Sequence, residues 1–334
     1  MPSVSQAALK KPPASAETTL DIWTPRPGSP VSTERIGQLM ESAAEIEARD
    51  PWSAHMVKYA GRCFIQANLP HSSRNIDPYS TFTRTNGKMT LQIKPDSKYG
   101  IPYGTIPRLL LMWIANEVRT KKNPVIALGD TLSPFMRQLD IVPTGGQWGT
   151  VTRLKDQMLR LFNADIRFRY EDSSDKDAEN AKGKLYSIED YDLWWGRKTD
   201  VTQSAFWQST IVLTGPLFRE LLMHSVPIDM RVIKALRRSP MELDVYCWLT
   251  YRMLSLDYSL FLSYNELAQQ FGSSYSNEKH FRVNINKALW AVMKQYTQVR
   301  VEIDATHRDE SGWRLQPSPT HVPPKHPRKP KNLK

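Results

Sequence analysis

YGIPYGTIPRLLLMWIANEVRTKK (residues 99–122), ALGDTLSPFMRQLDI (127–141) and PTGGQWGTVTRLKDQMLRLFNADIRFRY (143–170) are the stretches whose reading decides the fold. In the first, Leu109, Leu110, Trp113, Ile114 and Val118 recur at helical spacing. Lys121, Lys122, Asn123 and Pro124 then end the helix with cations at its negative end and a proline stop. Residues 125–128 are a short β-like run. Asp130 or Thr131 caps a second helix with Leu132, Phe135, Met136 and Leu139 inward. A Gly-rich turn at 143–146 leads to a third helix over 148–163. Its inward stripe is Val151, Leu154, Met158, Leu161 and Phe162. The opposite stripe is Thr150, Arg153, Gln157 and Arg160, with Thr152 and Lys155 beside it. Residues 165–170 alternate as a strand. Helix, turn, helix, glycine joint, helix and strand is the order of a winged-helix DNA-binding domain.

A shorter copy of that order follows after Thr214. Residues 217–223 read as a helix, and Pro227, Ile228 and Asp229 begin another that ends at Arg237 and Arg238. Ser239-Pro240-Met241-Glu242 and Ser263-Tyr264-Asn265-Glu266 read as capping boxes. Asn277 opens a long helix with Phe281, Ile285, Leu289, Val292, Met293 and Tyr296 inward. Lys279, His280, Arg282, Asn284, Asn286 and Lys287 lie on its outer sides. Residues 299–303 and 313–315 complete a β-hairpin wing.

Outward from these two units the chain is less regular. Residues 1–31 are a Pro-, Ser- and Ala-rich tail read as disordered. Residues 32–98 form an N-terminal appendage: a helix over 32–49, a second over 52–69 ended by Pro70, and a hairpin centred on Asn86-Gly87. The stretch 171–184 is charged and patternless, a flexible linker or wing tip. Trp194 and Trp195 read as sheet-packing residues. Residues 319–334 form a Pro-rich basic tail, in which Lys325, Arg328, Lys329, Lys331 and Lys334 suit phosphate neutralisation or simple solvation. The expected fold class is α+β and mainly helical. Tandem winged-helix (helix-turn-helix) domains span 99–214 and 215–318.

The chain has 334 residues with a formal net charge of +11, a balance that favours polyanions, nucleic acid before an anionic membrane surface. Cys63 and Cys247 are its only cysteines, both in apolar contexts, so a disulfide framework is not expected. No run reaches a membrane span, and the N-terminus lacks a signal-peptide core, so a soluble, cytoplasmic protein is expected. Residues 181–184 lack the first glycine and the Ser/Thr of a phosphate-binding loop. No zinc-ligand spacing, no G-x-S-x-G elbow and no His pair with a tyrosine of a nicking enzyme is present. Neither a cofactor, a metal nor catalysis is expected.

The stripe on the 148–163 helix is the first functional candidate. An ordinary solvated face would carry similar polarity. Thr, Arg and Gln together, with Asp156 the one acid, suit phosphates and base edges instead. Arg153, Lys155, Arg160, Lys279, Arg282 and Lys287 are expected at phosphates or guanines, with His280 beside them. Gln147, Thr150, Gln157, Asn284 and Asn286 are expected at base edges or in backbone positioning.

Several motifs carry a resemblance beyond this pattern. They include Leu69-Pro70-His71, Thr83-Arg84-Thr85-Asn86-Gly87, the residues 102–109, Leu128-Gly129-Asp130, Gly145-Gly146-Gln147-Trp148-Gly149-Thr150, Pro227-Ile228-Asp229, Trp248-Leu249-Thr250-Tyr251-Arg252 and Gln270-Phe271-Gly272. Over roughly residues 55–322 the chain resembles plasmid-encoded RepA replication initiators. Asp140 departs from the pattern, standing where a glycine ending the second helix is expected, and so does the insert at 171–184. The resemblance implies binding of double-stranded origin repeats, origin remodelling, recruitment of host replication proteins, and autorepression as a homodimer. Two other classes fit the sequence: a winged-helix regulator or partition protein without initiator activity, and a nickase or primase, which the absent motifs disfavour.

Overall fold

The structure, a computed structural model, describes residues 33–74, 76–170, 182–193, 209–272, 277–307 and 310–323. The N-terminal tail, the C-terminal tail from residue 324, most of the 171–184 insert, and Trp194 with Trp195 lie outside the described residues.

The appendage begins with α1 (Thr33–Glu47), whose Leu39 and Ile46 are buried. The helix expected over 52–69 is replaced by a turn, strand β1 (Val57–Gly61) and the short α2 (Arg62–Gln66). The physical reason is a distant partner. β1 pairs antiparallel with a strand at 225–229, Val57 opposite Asp229 and Gly61 opposite Ser225. The expected hairpin is present as β2 (Phe82–Asn86) and β3 (Met89–Lys94). Asn86 pairs with Met89, and Gly87 takes φ +55 at the turn.

α3 (Thr105–Lys121) is buried from Pro107 to Ala115 on every side. A helix apolar all round lies between packed layers, and α3 contributes to two cores. Leu109 and Met112 join one; Leu110, Leu111, Trp113 and Ile114 join the other. After it come β4 (Val125–Gly129), α4 (Leu132–Gln138), α5 (Thr150–Phe162), β5 (Asp165–Tyr170), β6 (Lys182–Leu185), β7 (Ile188–Asp192) and β8 (Ser209–Leu213). β4 pairs with β8, and β8 with β7, giving the order β4-β8-β7. The strand at 165–170 therefore does not complete this sheet. β5 lies between β3 and β6 in a separate sheet of order β2-β3-β5-β6. Ile166 and Phe168 face inward there, opposite Ile93 and Leu91 of the hairpin. The end of the 171–184 stretch is likewise strand, as β6.

α6 (Gly215–His224) sends Leu217 and Leu221 into the core that holds Leu110 and Ile114. The helix expected to begin at Pro227 starts later, because 225–229 is strand β9 (Ser225–Asp229), the partner of β1. Asp229 caps α7 (Met230–Leu236) through the Arg231 amide. Then follow α8 (Pro240–Met253), β10 (Leu260–Ser263), α9 (Tyr264–Phe271), α10 (Glu278–Gln295), β11 (Arg300–His307) and β12 (Glu310–Gln316). This sheet has the order β10-β12-β11. The element order and strand order of 105–213 thus recur in 240–316, apart from the inserted β5 and β6.

Capping follows the sequence in part. Ser263 and Glu266 form the full box. Ser239 accepts from the Glu242 amide, but the Glu242 carboxylate accepts from Arg35 of α1 at 2.9 Å instead of closing the second box. Asp140 takes φ +56, the left-handed conformation in which a glycine is usual, and its carboxylate pairs with Arg237.

The two cores meet at a buried charge network. Asp244 of α8 accepts from Arg108 Nε and Nη2 of α3, each at 2.7 Å, and lies 2.8 Å from His71 Nε2. Burial pushes the Asp244 carboxyl up, but the Arg108 charge and the hydrogen bonds from His71 and Arg108 hold it well below the usual range. Burial pushes His71 down to about 4, beyond the opposing pull of Asp244. A neutral His71 therefore donates its Nε2 proton to Asp244. The unfolded chain, with an ordinary histidine near 6.5, binds the extra proton first as pH falls. His71 thus contributes stability that is full above pH 6.5 and lost as pH falls toward about 4, by about 3 kcal/mol at most. Urea unfolding at pH 7 and pH 4.5 measures this, and His71→Gln is expected to flatten that part of the profile.

Candidate nucleic-acid interface

α5 is built by its amphipathic pattern: Leu154, Met158, Leu161 and Phe162 are buried, and Val151 is partly so. Its N-cap, Gly149, has no side chain to satisfy the first amides. Thr144 substitutes: its hydroxyl accepts from Thr150 N at 2.9 Å, and Thr144 N donates to Thr150 Oγ1 at 2.8 Å. Thr150 Oγ1 also donates to Val142 O at 2.6 Å, and Thr152 Oγ1 to Gly146 O at 3.0 Å. The Gly-rich joint is therefore stapled onto the helix it precedes. A Cβ on Gly149 would lie 2.3 Å from Gly145 O and 2.4 Å from Thr144 O. Gly149→Ala is expected to lose about 1–3 kcal/mol by overpacking and to detach the joint, read as a lower thermal midpoint and faster proteolysis at 143–150.

The predicted residues around α5 divide into two groups. Gln147 and Arg153 are exposed, Lys155 is half-exposed, and none of their side chains has a hydrogen-bond or ionic partner among the described residues. Thr150 is half-buried and engaged with the joint. Gln157 turns inward: it is buried, and its Oε1 accepts from Tyr103 N at 3.0 Å. Arg160 donates to Asp156 at 2.8 Å and lies 5.5 Å over the Tyr103 ring. As positioned, Gln157 and Arg160 fasten α5 to the segment before α3 instead of facing outward.

α10 repeats the arrangement. Asn277 caps it by accepting from Lys279 N at 2.9 Å and His280 N at 3.4 Å. Phe281, Ile285, Leu289 and Val292 are buried. Lys279, His280 and Val283 are exposed, and Lys287 is half-exposed. Arg282 pairs with Glu278 and stacks 4.9 Å over Tyr264. Asn284 donates to His280 O at 2.9 Å. Asn286 is structural: it donates to Tyr264 Oη at 2.7 Å and accepts from Trp313 Nε1 at 2.8 Å, tying α10 to α9 and β12. Lys325, Arg328, Lys329 and Lys331 lie outside the described residues.

Two features escaped the sequence reading. On the outer face of the β2-β3-β5 sheet, Arg167 stands across from Gln92 and Thr83, and Arg169 across from Thr90 and Thr85. Both arginines are exposed; alternation was legible at 165–170, but not which strands would adjoin it. Trp148 is 85% exposed at the tip of the joint. The helical pattern had counted it only as the start of α5.

No helix among the described residues is long and apolar enough to cross a membrane. Residues 101–261 match the family model RepA_C, described as plasmid encoded RepA protein. No curated protein sequence matches the chain. Among solved structures, a crystal structure of selenomethionine derivatives of domains 2 and 3 of RctB is similar at a TM-score of 0.50 and 12% identity, over 76% of this chain and 95% of that one. A second crystal structure, of RctB domains 2–3, has a TM-score of 0.45 and 11% identity over the same shares.

Proposed function

We propose, with residues 101–261 matching the plasmid-encoded RepA family, that this chain is a plasmid replication initiator that binds repeated double-stranded sites at its origin. The observation carrying this reading is the repetition of one topology. α3 to β8 and α8 to β12 share their element order and a sheet in which the first strand pairs with the last. We read each as a winged-helix unit, with α5 and α10 as the recognition helices. Both helices present cations without a side-chain partner among the described residues beside their N-termini, Arg153 and Lys155 on one and Lys279 on the other. In helix-turn-helix docking it is the N-terminal residues of the recognition helix that reach base edges. The surplus of +11 supplies the long-range attraction to DNA.

On this reading the two helices enter successive major grooves, and a site spans about two helical turns. Gln147 is the candidate for a base edge. Arg153, Lys155, Lys279 and Lys287 are candidates for phosphates or guanines. Origin remodelling, recruitment of host replication proteins, and autorepression by a homodimer belong to the same proposal through the family. Footprinting on DNA flanking the coding sequence tests it. Protection of several direct repeats is expected; uniform, salt-sensitive coating without a preferred site would overturn it.

A further inference from the structure

Trp148 is the most exposed large apolar side chain among the described residues, and its setting is rigid. The joint that carries it is clamped on both sides. Thr144 and Thr150 exchange hydrogen bonds, Gly149 N donates to Gly146 O at 3.1 Å, and Thr152 holds Gly146 O. Gly149 is packed so closely against Thr144 and Gly145 carbonyls that no side chain fits there. Gly146 takes φ +89. The backbone is thus fixed, while the indole makes no hydrogen bond or ring contact among the described residues. Water contact with an indole is unfavourable by the area it leaves unburied, so a stiff pedestal with an indole on top suits a partner that covers it.

The neighbours indicate the partner's chemistry. Gln147, Thr152 and Arg153, neighbours of Trp148 in the joint and the first turns of α5, are exposed, and the Arg153 side chain has no partner among the described residues. Across the joint, Val142 is 69% exposed. A polar, cationic surround with one planar aromatic matches a nucleic acid, in which phosphates flank apolar base and sugar faces. An apolar protein partner that also covered Arg153 would have to bury that charge, which is unfavourable.

We infer that Trp148 is a wedge that lies against the face of a base in bound duplex DNA, unstacking one step beside the site contacted by α5. The inference rests on the proposed docking of α5. Steps between a pyrimidine and a purine unstack most easily, so Trp148 selects such a step without hydrogen-bonding to it. It thereby adds an apolar contribution, independent of salt, to the contacts of Arg153.

The test uses the full-length chain and the duplex it protects in footprinting, with a random-sequence duplex of equal length beside it. Dissociation constants are measured across a salt series for the wild type, Trp148→Ala, Trp148→Phe and Arg153→Ala. Trp148→Ala is expected to weaken binding to the protected duplex by about tenfold or more, with an unchanged slope of log affinity against log salt. Trp148→Phe is expected to retain most of the affinity. Permanganate is expected to attack one thymine within the protected site more rapidly when wild-type protein is bound, and not when Trp148→Ala is bound. Unchanged affinity and thymine reactivity with Trp148→Ala, while Arg153→Ala still weakens binding, would overturn the wedge and leave the docking of α5 standing. Loss of self-association with intact DNA binding would also overturn it, in favour of a protein contact. If neither variant changes DNA binding, the docking of α5 itself is wrong.

Discussion

Asp244→Ala is expected to lower the stability of the folded chain by about 3–5 kcal/mol, the usual consequence of removing one partner from a buried ion pair. The carboxylate accepts both Arg108 nitrogens and the His71 proton, and all three side chains are buried. Without it the Arg108 guanidinium, 5% exposed, has no carboxylate in contact among the described residues. Arg84 adds to the strain: burial pulls its guanidinium down to about 9, and Asp244 is the charge that opposes this. Since domains have total stabilities of about 5–15 kcal/mol, the loss is a large share. Urea titration at pH 7 reads it as a shifted midpoint; a midpoint within experimental error of the wild type would show that the network contributes nothing net.

Replacing both partners is not expected to restore stability. A buried pair can often be exchanged for apolar residues of similar volume, but Arg108 does more than pair. Its Nη2 donates to Leu69 O at 2.6 Å, and its Nη1 to Gly104 O at 2.7 Å and Pro70 O at 3.1 Å. Arg108→Met with Asp244→Leu removes this donor from Leu69 O and Gly104 O, at about 1–3 kcal/mol for each buried group left unsatisfied, while Pro70 O keeps the Gly104 amide at 3.1 Å. Because Arg108 stands on α3 and Asp244 on α8, the same substitutions are expected to uncouple the two cores. A broadened or two-step unfolding transition would register that uncoupling.

The second large effect concerns binding. Arg153→Glu combined with Lys279→Glu is expected to raise the dissociation constant for the protected duplex by at least roughly thirtyfold, taking two contacts at about 1–3 kcal/mol each. The salt dependence of binding should also become shallower, by about 0.9 for each phosphate contact removed. Folding does not confound the test. Both side chains are exposed and without a partner among the described residues, and an acid near a helix N-terminus is favourable to the helix dipole. Electrophoretic mobility shift across a salt series, with thermal unfolding alongside, measures both. Wild-type affinity in the double variant would remove α5 and α10 from the interface and direct attention to Arg167 and Arg169 on the β5 face.

The amphipathic stripes of α5 and α10, the Ser263 capping box, the hairpin at Gly87 and the apolar run of α3 were all legible in the sequence. Each depends on residues within a turn or two of one another, and helical or strand periodicity records such local facts directly. The inward placement of Gln157 and Asn286 was not legible. Each sits at the border of a polar stripe, and periodicity assigns such a position to either side. What settled them was a group from elsewhere in the chain: the Tyr103 amide for Gln157, and the Trp313 indole with the Tyr264 hydroxyl for Asn286.

The same limit explains the larger differences. Residues 57–61 form a strand because residues 225–229 lie beside them, and residues 165–170 join the hairpin sheet because Ile166 and Phe168 find Ile93 and Leu91 there. By itself the sequence determined the helices other than those expected over 52–69 and from Pro227, their buried faces and the cationic surplus. Only the tertiary structure decided which strands pair, that α3 serves two cores through the Arg108–Asp244 network, and which polar side chains remain free to meet a partner. The physical reason is that burying a polar group requires a hydrogen-bond partner, and a partner distant in sequence leaves no local trace.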